Sequence, residues 1–350
     1  MKKKLRILVL VHPDLTPPNS VSSRKIFDDQ FIPWKTEFDV VTALKELGHE
    51  VLILGVYDSL LELKDILDSI KIDLVFNLLE EFNGKSELDY QITQFLEKEK
   101  VKYTGCSTSA LKLGRDKAKS KELVKSIGYK TPNFIVCKKG QKIKLDNLNL
   151  SFPLIVKCLT EEASYGLSKE SVVNNVKTLE KRINYMHKKL KVDCIIEEFI
   201  EGEEIYISFM GGKKNDIFTP RKLHFPKSKN PLKEIYTSMA KWSYSYARRQ
   251  KIFTRHKELS PFLMKKLQQE TIKICESLKI NAQARIDFRI TKDNEIYFLE
   301  ANPNPNISQD DDFCLSAIRK YGTYNKIIEE IIKIALESKK QRSNVEKIAA

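Results

Sequence analysis

Three apolar runs near the start of the chain alternate with amphipathic segments. The runs are Leu5–Val11, Glu50–Leu54 and Asp73–Leu78. The amphipathic segments are Phe38–Leu47, which the stop signal Gly48 follows, and Leu60–Ile70. Near-continuous apolar runs are typical of strands buried on both faces of a parallel sheet. Strand and helix in alternation predict an open parallel α/β unit. No G-x-G-x-x-G follows the first strand, so the pattern assigns no dinucleotide there.

The rest of the chain predicts further helices and an antiparallel hairpin. Ala284–Ile290 and Ile296–Pro305 flank the polar turn Lys292–Glu295, a pattern that predicts a β-hairpin. The other predicted strands are Phe152–Lys157 and the run that begins at Asp193. The other predicted helices are Glu87–Lys98 with Ser86 as its cap, Asp116–Gly128, Asn175–Leu190, Ser260–Leu278 and the closing helix Tyr324–Leu336.

Three oxygen-bearing side chains in the hairpin are candidates for a metal site. Asp287 lies on the first strand, and Glu300 and Asn302, two positions apart, share a face of the second. Two carboxylates and one amide form a hard oxygen set of the kind that holds Mg²⁺ beside a nucleotide. Ordinary surface acids explain the pattern equally well at this point. The run Asn302–Pro305 favours a rigid turn that ends ladder pairing directly after these residues.

Two loops follow the carboxyl ends of predicted strands. They are His12–Trp34, rich in Pro, Ser and charge, and Glu80–Ser86. Open α/β sheets bind ligands at that edge, so both loops are candidate substrate loops. An irregular connector explains the first loop as well.

The composition is that of a soluble globular protein with excess positive charge. The 350 residues are 41% hydrophobic and 31% charged, with a formal net charge of +14. This charge suits nucleic acid, an anionic surface or acidic small substrates, but the lysines are spread along the chain, as on solvated helix faces. No apolar run is long enough to cross a bilayer, so we expect no membrane partner, and Leu5–Val11 is too short for a secretory signal.

Six cysteines are scattered along the chain without paired spacing. They are Cys106, Cys137, Cys158, Cys194, Cys275 and Cys314. This spacing argues against a disulfide framework and against zinc ligation. It predicts a reducing, cytoplasmic location.

The hairpin motif resembles the Mg²⁺-binding core of the ATP-grasp ligases. Arg285-Ile286-Asp287 followed by Glu300-Ala301-Asn302 is similar to the motif pair of the branch that contains D-alanine–D-alanine ligase. A second set of motifs is similar in order to that branch: Val75-Phe76-Asn77, Tyr103-Thr104-Gly105, Asp116-Lys117, Gly128 and Thr131-Pro132. The resemblance implies an α/β fold in which an N-terminal Rossmann-like domain, residues 1–110, precedes two ATP-grasp subdomains at 111–200 and 201–340. Residues 341–350 would form a flexible tail.

The resemblance also implies a site for ATP and two Mg²⁺ ions, for which Mn²⁺ could substitute. Lys117 and Lys157 would face the phosphates, together with the loop Glu161–Ser168, whose Ser164 would be catalytic. Arg285 would stabilise the acyl phosphate and the tetrahedral adduct. Taken alone, a lysine at a strand end is more often solvent-facing.

The segment Asp193–Glu204 resembles the hinge between the two nucleotide-gripping subdomains. Glu197 would bind the adenine amino group, with Glu198 beside it. The backbone near Ile200 would contact the ring, and Glu204 would hold the ribose hydroxyls. A charged turn explains the segment equally well without the resemblance.

The stretch Arg221–His256 is the most basic and aromatic part of the chain. Basic residues interleaved with aromatic ones can bind nucleic acid. Ala240-Lys241-Trp242 also resembles the family's active-site loop, in which the lysine meets the γ-phosphate and the aromatic closes on the substrate. We therefore favour a lid, with catalytic Lys241, over a nucleic-acid surface.

The sequence departs from the family where the substrates would bind. The glycine-rich loop with its acidic residue is not recognisable in His12–Pro18, and Asn306 replaces an expected glycine. Three acids in Ser308–Asp312 indicate an amine-rich or cationic acceptor, or else a solvated loop.

The resulting hypothesis is an ATP- and Mg²⁺-dependent carboxylate–amine ligase that forms an amide or peptide bond through an acyl phosphate. Amino acids, peptides or other amines would be its substrates, with D-alanine not favoured, and a homodimer would form through the N-terminal unit. The alternatives are an ATP-grasp carboxylase or phosphoryl transferase, and a regulatory module that binds ATP or nucleic acid without catalysis.

Overall fold

The computed structural model describes residues 4–21, 23–27, 32–141, 149–161, 164–228, 230, 232 and 234–338. The strands are β1 Arg6–Val11, β2 Glu50–Gly55, β3 Leu74–Asn77, β4 Phe134–Cys137, β5 Leu154–Cys158, β6 Val172–Val173, β7 Cys194–Glu198, β8 Glu203–Met210, β9 Asp216–Ile217, β10 Arg221–His224, β11 Phe253–His256, β12 Gln283–Ile290 and β13 Ile296–Pro303. The α-helices are α1 Lys35–Glu46, α2 Leu61–Ser69, α3 Tyr90–Lys98, α4 Thr108–Arg115, α5 Lys117–Ser126, α6 Val176–Tyr185, α7 Ser238–Trp242, α8 Tyr244–Gln250, α9 Pro261–Ser277, α10 Asp312–Tyr321 and α11 Tyr324–Glu337.

The N-terminal strands form the predicted parallel sheet, in the order β2-β1-β3. Ile7 and Val9 of β1 pack in one core with α1 and α11, while Leu8 and Leu10 pack on the other face with α2 and α3. Burial of both faces is the reason for the continuous apolar run. The closing helix therefore covers the first sheet, although the two are far apart in sequence.

A large antiparallel sheet follows the order β11-β10-β8-β12-β13, with β9 paired to β8. One face packs on α4, α5 and α9. The even-numbered residues of β12 from Ala284 to Ile290 lie in this core, so Arg285, Asp287 and Arg289 point to the other face. This face forms the floor of the cleft described below.

A β-bulge determines the orientation of the second hairpin strand. Asp287 pairs with Glu300 but Phe288 pairs with Phe298, which leaves Leu299 as the extra residue. Alternation alone would place Glu300 on the core face with Phe298, and the bulge reverses the alternation beyond that point. Ala301 consequently joins the core.

Ladder pairing does not end at Asn302, contrary to the sequence prediction. Pro303 remains paired with Ala284, and the strand ends where Asn304 adopts a φ of 55°. Proline is tolerated here because β13 is an edge strand, so that its missing N–H removes no ladder hydrogen bond. Gly114 of α4 lies against the Pro303 ring, where an added Cβ would come within 2.5 Å.

A smaller antiparallel sheet has the order β4-β7-β5-β6 and packs against α6. The predicted helix Asn175–Leu190 is divided into α6 and a π-helical turn, Met186–Leu190. Asn175 caps α6 by accepting a hydrogen bond from the Thr178 N–H.

The proposed cap at Ser86 is wrong. Ser86–Leu88 forms a short 3-10 turn, and α3 begins only at Tyr90, with Asp89 at its cap position. The Ser86 hydroxyl donates to Glu161 instead, at 2.9 Å.

The fold class predicted from the sequence is confirmed: a parallel α/β unit is followed by two antiparallel sheets that face a common cleft. The proposed domain boundaries stay a prediction, and α4 and α5 pack on β13 across one of them. The predicted tail, 341–350, lies outside the described residues. Within the described ranges, no helix is both long and apolar enough to span a membrane.

Candidate active site

A cleft of about 1070 Å³, part of it open to solvent, lies between the two antiparallel sheets. It is lined by every site residue that the sequence analysis named: Lys117, Lys157, Ser164, Glu197, Glu198, Ile200, Glu204, Lys241, Arg285, Asp287, Glu300 and Asn302. These residues come from separate helices, strands and loops, so the fold brings together what the sequence disperses.

The acidic floor of the cleft is organised around Asp287. Arg285 clamps it with two hydrogen bonds, from Nε to Oδ1 at 2.8 Å and from Nη2 to Oδ2 at 2.9 Å. The amide nitrogen of Asn302 donates to Oδ2 at 3.3 Å, and Glu300 is the cross-strand neighbour. The three predicted metal-site side chains therefore converge, with an arginine beside them.

The two carboxylates of the floor have different electrostatic environments. Burial raises the pKa of Asp287 to about 7, although the Arg285 guanidinium opposes the shift. Burial also disfavours the charged form of Glu300, but the positive charges of Lys117, Lys157 and Arg285 outweigh it and lower the pKa of Glu300. The floor thus holds an anionic Glu300 next to a carboxyl group whose ionisation would be favoured by a bound cation.

Glu197 lies buried between two lysines. Its carboxylate is 3.0 Å from Nζ of Lys157 and 3.3 Å from Nζ of Lys121, and 1% of the residue is exposed. The Lys157 contact is with Oε2 and the Lys121 contact is with Oε1, and the latter ion pair lacks hydrogen-bond geometry. These lysine charges outweigh burial and lower the pKa of Glu197.

Lys121 is a component of the site that the sequence analysis missed. It is fully buried, and burial lowers its pKa to about 8. Its ammonium group donates to the backbone carbonyl of Leu299 at 2.6 Å, which is the extra residue of the bulge. Helical periodicity could have identified it, since it lies one turn after Lys117 on α5.

Glu198 faces away from its neighbour, as strand alternation requires. Its carboxylate accepts hydrogen bonds from the Asn133 amide and the Ser151 N–H, both at 2.9 Å. The side chain is therefore engaged on the outer side of β7, and Ile200 follows beyond the end of the strand.

Glu204 is fixed by two neighbours. Nη2 of Arg289 lies 2.8 Å from its Oε2, and the Tyr206 hydroxyl donates to its Oε1 at 2.9 Å. The sequence analysis also missed Arg289, although the two-residue period of β12 puts it on the same face as Arg285 and Asp287.

The predicted lid, Arg221–His256, begins and ends in the strands β10 and β11 and contains the helices α7 and α8. Thr237 caps α7, which carries Lys241, and Ser238 contacts the loop Glu161–Ser168 through hydrogen bonds to the carbonyls of Ser164 and Leu167. Ser164 has a φ of 60°. Glu162 and Ala163 of the loop, like the side chain of Trp242, lie outside the described residues.

Cations in the lid stretch have internal partners. Nε of Arg221 is 2.8 Å from Asp312, Nζ of Lys222 is 2.6 Å from Glu203, and Lys227 donates to the Arg249 carbonyl. The charges of Arg221 and Lys222, which carboxylates neutralise, are less available to phosphates of a nucleic acid.

Comparison with known proteins identifies the family. The sequence profile described as "D-ala D-ala ligase C-terminus" matches residues 123–333. The D-alanine–D-alanine ligase of Aquifex aeolicus is 32% identical over 301 residues, which cover 86% of this chain and 94% of that protein. This chain belongs to the D-alanine–D-alanine ligase family. It is therefore an ATP-dependent ligase with the ATP-grasp fold.

Solved structures of this ligase family share the fold. The crystal structure of the Bacillus anthracis D-alanine–D-alanine ligase complexed with ATP matches with a TM-score of 0.72 at 22% identity, and covers 99% of this chain and 100% of that one. The VanG D-Ala:D-Ser ligase of Enterococcus faecalis matches with a TM-score of 0.68 at 18% identity, and covers 95% and 100%.

A second cavity of this ligase adjoins the first, and Lys241 lines both. This cavity lies at the carboxyl ends of β1 and β3. Its volume is about 2810 Å³, part of which is open to solvent. Both loops predicted to bind substrate contribute to it, through His12 and Glu81, although Ser22 and residues 28–31 of the first loop lie outside the described residues.

The three acids of Ser308–Asp312 have unequal surroundings. Asp310 forms ion pairs with Arg24 and Lys35, and Asp312 pairs with Arg221. Only Asp311 faces the cavity without a cation bound to its carboxylate among the described residues. Burial, followed by the charge of Asp312, raises the pKa of Asp311 to about 6. The sequence analysis inferred a cationic acceptor from three acids, but among the described residues only Asp311 supports that inference.

Glu37 is a second acid of this cavity, and the sequence analysis did not identify it. It lies in the first turn of α1, and its Oε2 is buried without a hydrogen bond to any described residue. Burial raises its pKa to about 7, and the charges of Glu80 and Asp39 add to the shift.

We expect Glu37→Gln to stabilise the protein at pH 8. The unfolded carboxyl ionises near its ordinary pKa of 4.5 and the folded one near 7, so the folded state binds more protons over this interval. Stability therefore falls as pH rises through the interval, by about 3 kcal/mol at most. Urea denaturation should show a gain of about 1 to 3 kcal/mol for the variant at pH 8 and little difference at pH 4.5.

The control for this prediction is Glu46→Gln, which changes an exposed glutamate at the other end of the same helix. Its effect should be small and similar at both pH values. Equal effects of Glu37→Gln at pH 4.5 and pH 8 would contradict the assignment of a buried, uncompensated carboxyl.

Proposed function

We propose that this ligase joins a carboxylate to an amine by activating the carboxylate as an acyl phosphate with Mg²⁺-ATP. A single observation carries the proposal: Asp287, Glu300 and Asn302 converge in one cleft with the cations Lys117, Lys157, Lys241 and Arg285. A hard oxygen set beside a ring of positive charge matches the needs of a bound triphosphate.

The donor set fits magnesium. Two carboxylates and an amide oxygen are hard ligands, and a bound cation would offset the burial that raises the pKa of Asp287. Asp287, Glu300 and Asn302 would hold the two Mg²⁺ ions that we predict. Mn²⁺ would be able to replace Mg²⁺ at these positions. The ions would supply charge neutralisation at the transferring phosphoryl group.

The nucleotide would occupy the cleft with its base near β7. Glu197 lines the cleft, and its Oε1 atom, which pairs with Lys121 at 3.3 Å without hydrogen-bond geometry, would accept from an adenine amino group. The backbone at Ile200 would contact the ring. Glu204, already oriented by Arg289 and Tyr206, would accept from the ribose hydroxyls. The side chain of Glu198 points to the outer side of β7, which supports a contact between its backbone and the nucleotide.

The fixed cations would act on the phosphates and on the reaction intermediates. Lys117 and Lys157 would bind phosphate oxygens, and Lys241 would reach the γ-phosphate from the lid. Attack of the substrate carboxylate on the γ-phosphorus releases ADP, and attack of the amine on the acyl carbon then releases phosphate. Arg285 would stabilise the oxyanion of the tetrahedral adduct. Contact between the segment of Ser164 and the lid supports a closed, water-excluding state.

The second cavity would hold the two substrates. Glu37 and Asp311 carry raised pKa values there, and an ammonium group would compensate their charge. This favours amino acids or peptides with a free amine. Asn306 stands where a glycine is expected from the family, and its side-chain oxygen accepts hydrogen bonds from the Thr36 hydroxyl and the Ser308 N–H. This difference supports substrates other than D-alanine.

Three further expectations remain predictions. They are the domain division at residues 110 and 200, a homodimer through the N-terminal unit, and a cytoplasmic location. The six cysteines are free and buried, which suits a reducing compartment.

The proposed function is tested by measuring the release of ADP and phosphate from Mg²⁺-ATP with a panel of D- and L-amino acids, dipeptides and polyamines. We expect release to require an acid and an amine together, and mass spectrometry should detect the condensed product. Phosphate release that no acid or amine stimulates would contradict ligation. Phosphorylated product without condensation would indicate a phosphoryl transferase.

A further inference from the structure

Two cysteines and a histidine meet on the outer side of the smaller antiparallel sheet. Cys137 of β4 pairs directly with Cys194 of β7, so both thiols point to the same face. His187 lies in the π-helical turn that follows α6, which covers this face. Both cysteines are buried, and the three ligand atoms lie within 4.8 Å of one another.

The distances match the edges of a tetrahedral metal site. Nε2 of His187 is 3.6 Å from Sγ of Cys137 and 3.7 Å from Sγ of Cys194. Zinc binds thiolate sulfur at about 2.3 Å and imidazole nitrogen at about 2.0 to 2.1 Å, and a tetrahedral angle then separates S from N by about 3.6 Å. Both sulfur-to-nitrogen edges thus have the length that the ion requires, and the two sulfur atoms lie within 4.8 Å of each other.

We propose that Cys137, Cys194 and His187 bind a zinc ion, with the fourth position taken by water or another small donor. Two thiolates neutralise the charge of Zn²⁺, and neutral imidazole adds none, so the complex is uncharged in its buried setting. Binding releases both thiol protons to solvent. Cys158 of β5 pairs with Cys194 on the other side of β7, but its thiol donates a hydrogen bond to the Tyr165 carbonyl. It is therefore not part of the cluster.

The zinc site would be separate from the proposed chemistry of ATP. Cys194 and Glu198 lie on one face of β7, whereas Glu197 lies on the cleft face. The ion would fix the turn after α6 to the sheet that carries Lys157 and Glu197. Its role would therefore be to stabilise the nucleotide-gripping sheet.

Sequence spacing excluded this site because 50 residues separate Cys137 from His187. Strand pairing removes that separation. Nε2 of His187 is also 3.3 Å from the Cys137 carbonyl oxygen. A hydrogen bond between these two atoms is therefore the competing explanation for the position of the imidazole.

The test is titration of the full-length, reduced and metal-free protein with Co²⁺ in saturating Mg²⁺, which occupies hard oxygen sites. We expect one equivalent of Co²⁺ to produce thiolate-to-cobalt charge-transfer absorption, and one equivalent of Zn²⁺ to abolish it. Zn²⁺ should also raise the melting temperature. Cys194→Ser and His187→Ala should each weaken Co²⁺ binding by about 100-fold or more.

Cys275→Ser is the matched control, because this cysteine is equally buried but lies in the core beneath the large sheet. Its titration should match that of the unmodified protein. Absence of charge-transfer absorption in the unmodified protein would overturn the proposal and leave the hydrogen bond as the explanation. Co²⁺ affinity that is unchanged in Cys194→Ser would overturn it as well. Neither result depends on the ligase assay.

Discussion

Glu300→Gln lowers the rate of amine-dependent phosphate release by about 10²- to 10³-fold, the loss typical when one electrostatic partner of the transition state is removed. The substitution keeps the size of the side chain but removes a charge that faces Asp287 across the hairpin. The surrounding lysines keep Glu300 ionised by lowering its pKa, so the variant loses a full negative charge. Steady-state release of phosphate at saturating ATP measures the effect.

The control for this substitution is Glu295→Gln. Glu295 is an exposed carboxylate in the turn of the same hairpin, where it pairs with Lys130. It should retain full activity. Unchanged turnover in Glu300→Gln, with the fold intact by circular dichroism, would show that the metal assignment is wrong.

Glu197→Gln destabilises the protein by about 3 to 5 kcal/mol. The carboxylate is the shared partner of two buried lysines, and removing one partner of a buried ion pair leaves charge uncompensated. Adding Lys121→Met should recover part of the loss, because that change removes the fully buried cation. Urea denaturation of the two single variants and the double variant gives the coupling energy.

The neighbouring Glu198→Gln provides the control, because its carboxylate lies on the outer side of the same strand. A glutamine can retain both acceptor contacts, so its cost should be about 1 kcal/mol or less. If Glu197→Gln cost no more than Glu198→Gln, the buried lysine pair would not depend on Glu197 for its charge balance.

The sequence predicts the metal-site residues from the hairpin pattern, and most other site residues from the resemblance to the ligase family. Arg285 and Asp287 share a face because they are two apart on a strand, and Lys117 begins a helix that Asp116 caps. The same periodicities contain Arg289 and Lys121, which were missed because only the positions of the family motifs were considered.

Other features depend on pairings that no local pattern contains. The bulge at Leu299 is a property of the strand pair, and strict alternation would have turned Glu300 into the core. The partners of Asp310 and Asp312 are Arg24, Lys35 and Arg221, all distant in sequence. The burial that makes Glu37 unusual likewise arises from tertiary packing.

The cysteine and histidine cluster illustrates the same limit. Metal sites are recognised in sequences through short spacings such as C-x-x-C. Here two ligands come from adjacent strands and the third from a helical turn, so only the fold shows that they meet.

The central claim, activation of a carboxylate as an acyl phosphate, is tested most directly by oxygen transfer. The ligase is incubated with Mg²⁺-ATP and a mixture of D- and L-amino acids whose carboxylates carry ¹⁸O, and the released phosphate is analysed by mass spectrometry. Each phosphate should carry one ¹⁸O, since the carboxylate oxygen that attacks the γ-phosphorus leaves with it. Phosphate without ¹⁸O would contradict the account, because its oxygen would then come from water.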